Sequence, residues 1–181
     1  MLRCKVAAIL EPSTLCTEYE SNHNSFWEVL MLKVGDVAPD FSMASDKGGT
    51  VSLNELRGNT VVLYFYPKDD TSGCTTEACD FRDQYASFQG RTVHVFGVSC
   101  DPIKSHEKFS SKFSLPFPLL SDADKSVCNA YGVYKEKSMY GRKYMGIERT
   151  TFVIGPDGTL TRIYPKVSVT GHVAAVLADL G

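Results

Sequence analysis

The chain has 181 residues, 43% of them hydrophobic and 22% charged, and includes six cysteines. Nineteen basic and 21 acidic residues leave a net charge of −2, far from the basic field that a nucleic-acid or anionic-membrane binder needs. A domain of this size buries about 70% of the surface its unfolded form exposes, so it needs no disulfide or metal staple, and no apolar run approaches the ~20 residues of a membrane span.

Residues 1–30 read apart from the rest. A basic start and a short apolar stretch over residues 2–10 are cut by Glu11-Pro12, and no small-x-small cleavage site follows, which argues against a signal peptide. Glu11, Glu18, Glu20 and Glu28 argue against a transit peptide. Only Arg3 and Lys5 oppose these glutamates, so the net charge lies in this stretch and 17 basic residues face 17 acidic ones from Met31 on. Residues 1–30 are expected to be an extension, with Met31 as an alternative start, and residues 31–181 one domain.

Within that domain, the Pro- and Gly-marked stretch 34–41 and the turn Lys47-Gly48-Gly49-Thr50 predict an N-terminal β-hairpin. Residues 60–66 form a continuous β-branched and aromatic run between Gly58 and Pro67, as in a strand buried on both faces. Ala78, Phe81, Tyr85 and Phe88 recur at helical spacing, predicting a helix over 75–89 that stops at Gly90. A strand over 93–99, a helix over 104–113, the short apolar pair Leu119-Leu120 and a short helix over 125–131 follow. Strands over 150–154 and 159–164 are joined by Gly155-Pro156-Asp157-Gly158, a hairpin by its turn residues, and a helix over 173–180 closes the chain. Alternating strands and helices that end in a hairpin predict an α/β sandwich whose sheet is partly parallel and antiparallel at one edge.

The chemistry concentrates in Pro67-Lys68-Asp69-Asp70-Thr71-Ser72-Gly73-Cys74-Thr75-Thr76-Glu77-Ala78-Cys79, between the central strand and the next helix. Cys74 falls where unpaired N–H groups and the positive helix end favour an anion, here a thiolate. Cys79 lies five residues on. On a continuous helix the two Cα atoms would be ~8.6 Å apart and ~140° around the axis, whereas a disulfide needs them within ~7 Å. If the two cysteines oxidise to one another, the first turns of the helix must unwind. Glu77 is expected either to cap the helix, the preferred reading, or to hydrogen-bond near the site, and Asp69 and Asp70 are expected to point to solvent, because carboxylates close to the sulfur would oppose its ionisation.

The pattern Pro67-x-x-x-Thr71-x-x-Cys74 resembles the active-site motif of the peroxiredoxins. The run from Thr71 through Asp83 is similar to the bacterioferritin comigratory protein (PrxQ) branch, as are Gly97-Val98-Ser99, Leu119-Leu120-Ser121-Asp122, Tyr131-Gly132-Val133 and the stretch from Gly146 to Ile154. The resemblance covers residues ~32–180. It implies a thioredoxin-like sandwich with a central mixed sheet. It also implies a thiol-specific peroxidase acting on hydrogen peroxide and organic hydroperoxides, with Cys74 peroxidatic and Cys79 resolving through an intramolecular disulfide. Thioredoxin or a similar dithiol would be the reductant. Arg149 matches the active-site arginine, Thr71 the hydroxyl that contacts thiolate and peroxide, and Pro67 the residue that shields the cysteine from water. The resemblance further implies a cytoplasmic monomer that needs no metal or organic cofactor and binds neither nucleic acid nor membrane.

Two rivals have less support. A thioredoxin-type disulfide reductase would carry C-x-x-C, and a zinc module would need a second Cys/His pair at comparable spacing, which is absent. Cys100 and Cys128 read as core or near-surface thiols, with Cys128 a candidate secondary resolver because some members of the branch have a cysteine there. His94, His106 and His172 read as structural.

Overall fold

The computed structural model describes residues 31–139 and 141–181. The expectation for residues 1–30 lies outside them. The predicted N-terminal hairpin is formed by β1 (Ser42–Ser45) and β2 (Thr50–Ser52). The apolar run becomes β3 (Thr60–Phe65), followed by helix α1 (Ser72–Asp83), the short helix α2 (Tyr85–Gln89), β4 (Val93–Ser99) and α3 (Ile103–Phe113). Then come β5 (Leu119–Ser121), α4 (Ser126–Ala130), β6 (Tyr134–Met139), β7 (Arg142–Ile147), β8 (Thr150–Ile154), β9 (Leu160–Tyr164) and α5 (His172–Asp179).

Seven strands form one sheet in the order β2-β1-β5-β4-β3-β8-β9, and β6 with β7 makes a separate hairpin. The strands β5, β4 and β3 are parallel, while β8 and β9 extend the sheet antiparallel. The architecture is the expected sandwich, with one correction. The N-terminal hairpin joins β5 antiparallel, so both edges of the sheet are antiparallel rather than one. A second correction concerns the predicted helix 75–89, which starts at Ser72 and breaks at Gln84.

β3 is buried on both faces because its alternate residues serve two cores. Val61, Leu63 and Phe65 pack beneath α4 and the N-terminal segment, whereas Val62, Tyr64 and Tyr66 pack with residues of α1, α2, α3 and α5. Each such buried side chain contributes on the order of 1.5–3 kcal/mol. Gly97 on β4 is required by a close approach: a Cβ there would lie 2.6 Å from the Tyr64 hydroxyl and 2.8 Å from Leu119. That space lets Tyr64 lie across Phe81 of α1 with ring centroids 4.6 Å apart, fixing α1 over the end of the sheet.

Candidate active site

The site lies where β3 hands the chain to α1. Thr71 is the N-cap residue, with extended backbone (φ −90°, ψ 152°). Its hydroxyl donates to the Lys68 carbonyl at 3.1 Å, and no side chain among the described residues caps the helix. The N–H groups of Ser72, Gly73 and Cys74 therefore keep their donor capacity at the positive end of a 12-residue helix. Cys74, the third helical residue, is 2% exposed and packs among Tyr64, Tyr66, Ala78 and Phe81.

Topology brings Arg149 here from far along the chain. β8 runs antiparallel to β3 with Thr150 opposite Phe65, so residue 149 returns to the point where β3 ends. The Arg149 carbonyl accepts the Val167 N–H at 2.9 Å, anchoring its backbone. Its guanidinium then bridges two acceptors: Nη2 donates to Cys74 Sγ at 3.2 Å, and Nη1 pairs with Glu77 Oε2. Burial alone would lower the Arg149 pKa, but the negative groups at Glu77 and Cys74 outweigh it and the net shift is upward.

Of the two roles expected for Glu77, the preferred one, capping, is not taken, and the other, a hydrogen bond near the site, is. Three residues after Cys74, Glu77 shares that residue's face of α1, is fully buried, and spends its carboxylate on Arg149. Burial pushes its pKa up to about 7 despite the opposing pull of Arg149. Its Oε1 and the Tyr64 hydroxyl are buried without hydrogen-bond partners among the described residues. Burial, with Glu77 and Cys74 adding to it, holds the Tyr64 phenol far above its ordinary range.

The two neighbouring aspartates divide. Asp70 is exposed as expected, at φ 55°, and meets Lys112 at 2.7 Å. Asp69 overturns the expectation and is buried: it accepts from Tyr66 Oη at 2.7 Å and pairs with His106 Nδ1 at 2.9 Å. Its own N–H donates to Asp101 Oδ2 at 2.8 Å. The active-site loop is thus tied to α3. Burial raises the Asp69 pKa, but hydrogen bonds from His106, Ser105 and Tyr66 outweigh it and the net shift is downward. Asp69→Asn is expected to cost about 3 kcal/mol of stability in urea unfolding at pH 7, because it removes one partner of a buried pair. Since the native pKa lies below the usual carboxylate value, the Asp69 contribution is present above about pH 4 and is lost as the pH falls further.

Of the other site residues expected from the sequence, Pro67 is exposed on the loop leaving β3. Cys79 is half-buried on α1 and, like Cys74, a free thiol. One unbroken helix holds both cysteines, so the geometry described from the sequence applies. Thr71 has no hydrogen bond to Cys74 Sγ, its hydroxyl being turned to Lys68. Among the histidines, His94 is exposed, His106 holds Asp69, and His172 meets Thr151 Oγ1 at 2.8 Å. Burial, then the Arg149 charge, lowers the His172 pKa to about 4, so it is neutral at pH 7.

Residues 34–163 match the AhpC/TSA family. The chain is 46% identical to peroxiredoxin Bcp of Bacillus subtilis over 151 residues, which is 83% of this chain and 96% of that one. It superposes on the bacterioferritin comigratory protein of Xanthomonas campestris with a TM-score of 0.76 at 42% identity, covering 82% of this chain and 95% of that one. That structure concerns the protein's alkyl peroxide reduction activity. A Xylella fastidiosa PrxQ variant superposes at 0.78 with 37% identity, covering 82% and 95% of the two chains. The fold is therefore the thioredoxin-like one of these peroxidases, and the chain belongs to the AhpC/TSA family as a peroxiredoxin of the Bcp/PrxQ branch.

Proposed function

We propose that this peroxiredoxin reduces hydrogen peroxide and alkyl hydroperoxides with Cys74 as nucleophile, Cys79 as resolving thiol and a thioredoxin-type dithiol as reductant. The observation that carries the reading is the buried Cys74 in the first turn of α1 with the Arg149 guanidinium on its sulfur. The Cys74 thiolate attacks one peroxide oxygen, the O–O bond breaks, and water or an alcohol leaves. Cys79 then attacks the sulfenic sulfur, an S–S bond forms and the sulfenic oxygen departs as water. Two electrons from the external dithiol restore both thiols.

An ordinary thiol is ~3% ionised at pH 7, so complete ionisation would gain only about 30-fold, while enzymic accelerations usually exceed ~10⁶. The remainder falls to groups that align the peroxide and stabilise charge on the departing oxygen: Arg149, the free N–H groups of the first turn, and Thr71 once its hydroxyl turns from Lys68. Pro67, exposed on the loop leaving β3, is the residue that would shield the sulfur from water. None of these steps draws on a metal or organic cofactor. Because the disulfide is intramolecular, a monomer suffices, and a thioredoxin-recycled dithiol suits the reducing cytoplasm. Among the described residues no helix is long and apolar enough to cross a membrane.

Peroxide-dependent NADPH oxidation in the presence of thioredoxin and its reductase tests the proposal. Oxidation of one NADPH per peroxide is expected with hydrogen peroxide and with an alkyl hydroperoxide. No peroxide-dependent oxidation with either would overturn it.

A further inference from the structure

Cys100 and Cys128 lie 28 positions apart in sequence, yet their sulfurs are 3.9 Å apart. Cys100 follows the last residue of β4 and is half-buried; Cys128 lies within α4 and is fully buried. A frame of hydrogen bonds holds them together. β4 and β5 are parallel with Ser99 opposite Ser121, the Asp122 N–H donates to the Ser99 carbonyl at 2.9 Å, and Ser121 Oγ donates to the Asp101 carbonyl at 2.6 Å. The Asp122 carboxylate then receives the first turn of α4, accepting the Cys128 N–H at 2.7 Å and the Val127 N–H at 3.2 Å.

We infer that Cys100 and Cys128 form a second redox pair, in which a hydroperoxide oxidises the accessible Cys100 and the buried Cys128 closes a disulfide with it. Bringing the sulfurs from 3.9 Å to a bond of about 2.05 Å requires closure by ~2 Å. No helix has to unwind, in contrast to Cys74 and Cys79. The division of roles follows from position and polarity. The contact between the two sulfurs lowers the Cys100 pKa, whereas the same contact, burial and the nearby Asp122 raise that of Cys128.

Cys100 sulfur attacks the peroxide, the O–O bond breaks, and Cys100 becomes a sulfenic acid as water or alcohol leaves. Cys128 sulfur then displaces the sulfenic oxygen, which departs as water with the Cys128 proton. In all, two thiols are oxidised by two electrons and one peroxide is reduced. The pair is separate from the Cys74 centre. Cys128 and Cys100 pack in the core on one face of the sheet, and Cys74 in the core on the other.

The test uses the full chain carrying Cys74→Ser and Cys79→Ser, treated with hydrogen peroxide, blocked with N-ethylmaleimide and digested with trypsin without reductant. The expected product is a disulfide-linked pair of peptides spanning residues 92–104 and 126–135. A rise in Tm of about 5–10 °C should accompany it, reversed by dithiothreitol, because the bond closes a 28-residue loop of the unfolded chain. Adding Cys128→Ser should leave a sulfenic acid on Cys100 that dimedone traps. Recovery of both peptides with free thiols would overturn the inference, as would Cys100 sulfinic acid while Cys128 stays reduced. One equivalent of retained zinc that protects both thiols would also overturn it, since Asp122 lies close enough to both sulfurs to complete three ligands.

Discussion

Cys74→Ser is expected to bring thioredoxin-supported peroxide turnover down to background, a loss of at least about 10⁵-fold, whereas Cys79→Ser should consume about one equivalent of peroxide and then stop. The two variants differ because the two sulfurs stand in different settings on one helix. Cys74 has the arginine and the uncapped first turn; Cys79 is half-buried on the same helix without those donors. A serine at 74 removes the sulfur that accepts oxygen. A serine at 79 leaves that reaction intact and strands the sulfenic acid. Multiple turnover by Cys79→Ser at the parent rate would assign resolution to another thiol.

The same pair predicts a change of shape. On the intact helix the two Cα atoms stand ~8.6 Å apart, beyond the ~7 Å limit of a disulfide. If the two sulfurs join, the start of α1 unwinds and Cys74 withdraws from the core around Tyr64 and Phe81, and Glu77, which lies between the cysteines, is expected to lose its contact with Arg149. Amide exchange over residues 74–82 should be faster in the disulfide form than in the dithiol form. Equal protection in the two forms would show that the pair does not close in this way.

What was legible in the sequence was local. The strand run 60–66, the turn Gly155–Gly158 and the placing of Cys74 at the head of a helix each depend on neighbouring residues, and the structure has all three, with β3 ending at Phe65 and the helix beginning at Ser72. The hairpin of β6 and β7 went unforeseen because its strands project largely into solvent, so no apolar alternation marks Tyr134–Met139 or Arg142–Ile147. Only Gly141, at φ 75°, hints at the turn. Partners distant in sequence were equally hidden. Asp69 looks like a solvated loop residue until α3 supplies His106, 37 residues on, and Glu77 like a capping residue until Arg149 arrives from 72 residues away.

Arg149→Met is expected to lower kcat/KM for hydrogen peroxide by about 10²–10³-fold, the usual cost of deleting one donor aimed at charge that develops in a transition state. The variant also leaves Glu77 buried without its cation, so its stability above pH 7 should fall. Arg149→Lys should recover only part of the loss, because an ammonium is a point charge and cannot span Cys74 Sγ and Glu77 Oε2 as the fork does. Full activity in Arg149→Met would remove the guanidinium from the reaction.

Glu77 supplies the pH dependence. Its native pKa of about 7 lies above the unfolded value of 4.5, so the folded state holds the extra proton between those limits. Stability contributed by the neutral acid is fully present below about pH 4.5 and falls as the pH rises to 7, on the order of 3 kcal/mol in all. Glu77→Gln keeps an acceptor for Arg149 and removes the titrating proton. Its activity at pH 7 should stay within about 10-fold of the parent, and both the stability slope between pH 4.5 and 7 and any inflection near pH 7 in the pH–rate profile should disappear. A profile unchanged by Glu77→Gln would place that inflection on another group and leave Glu77 only the task of holding the guanidinium against the sulfur.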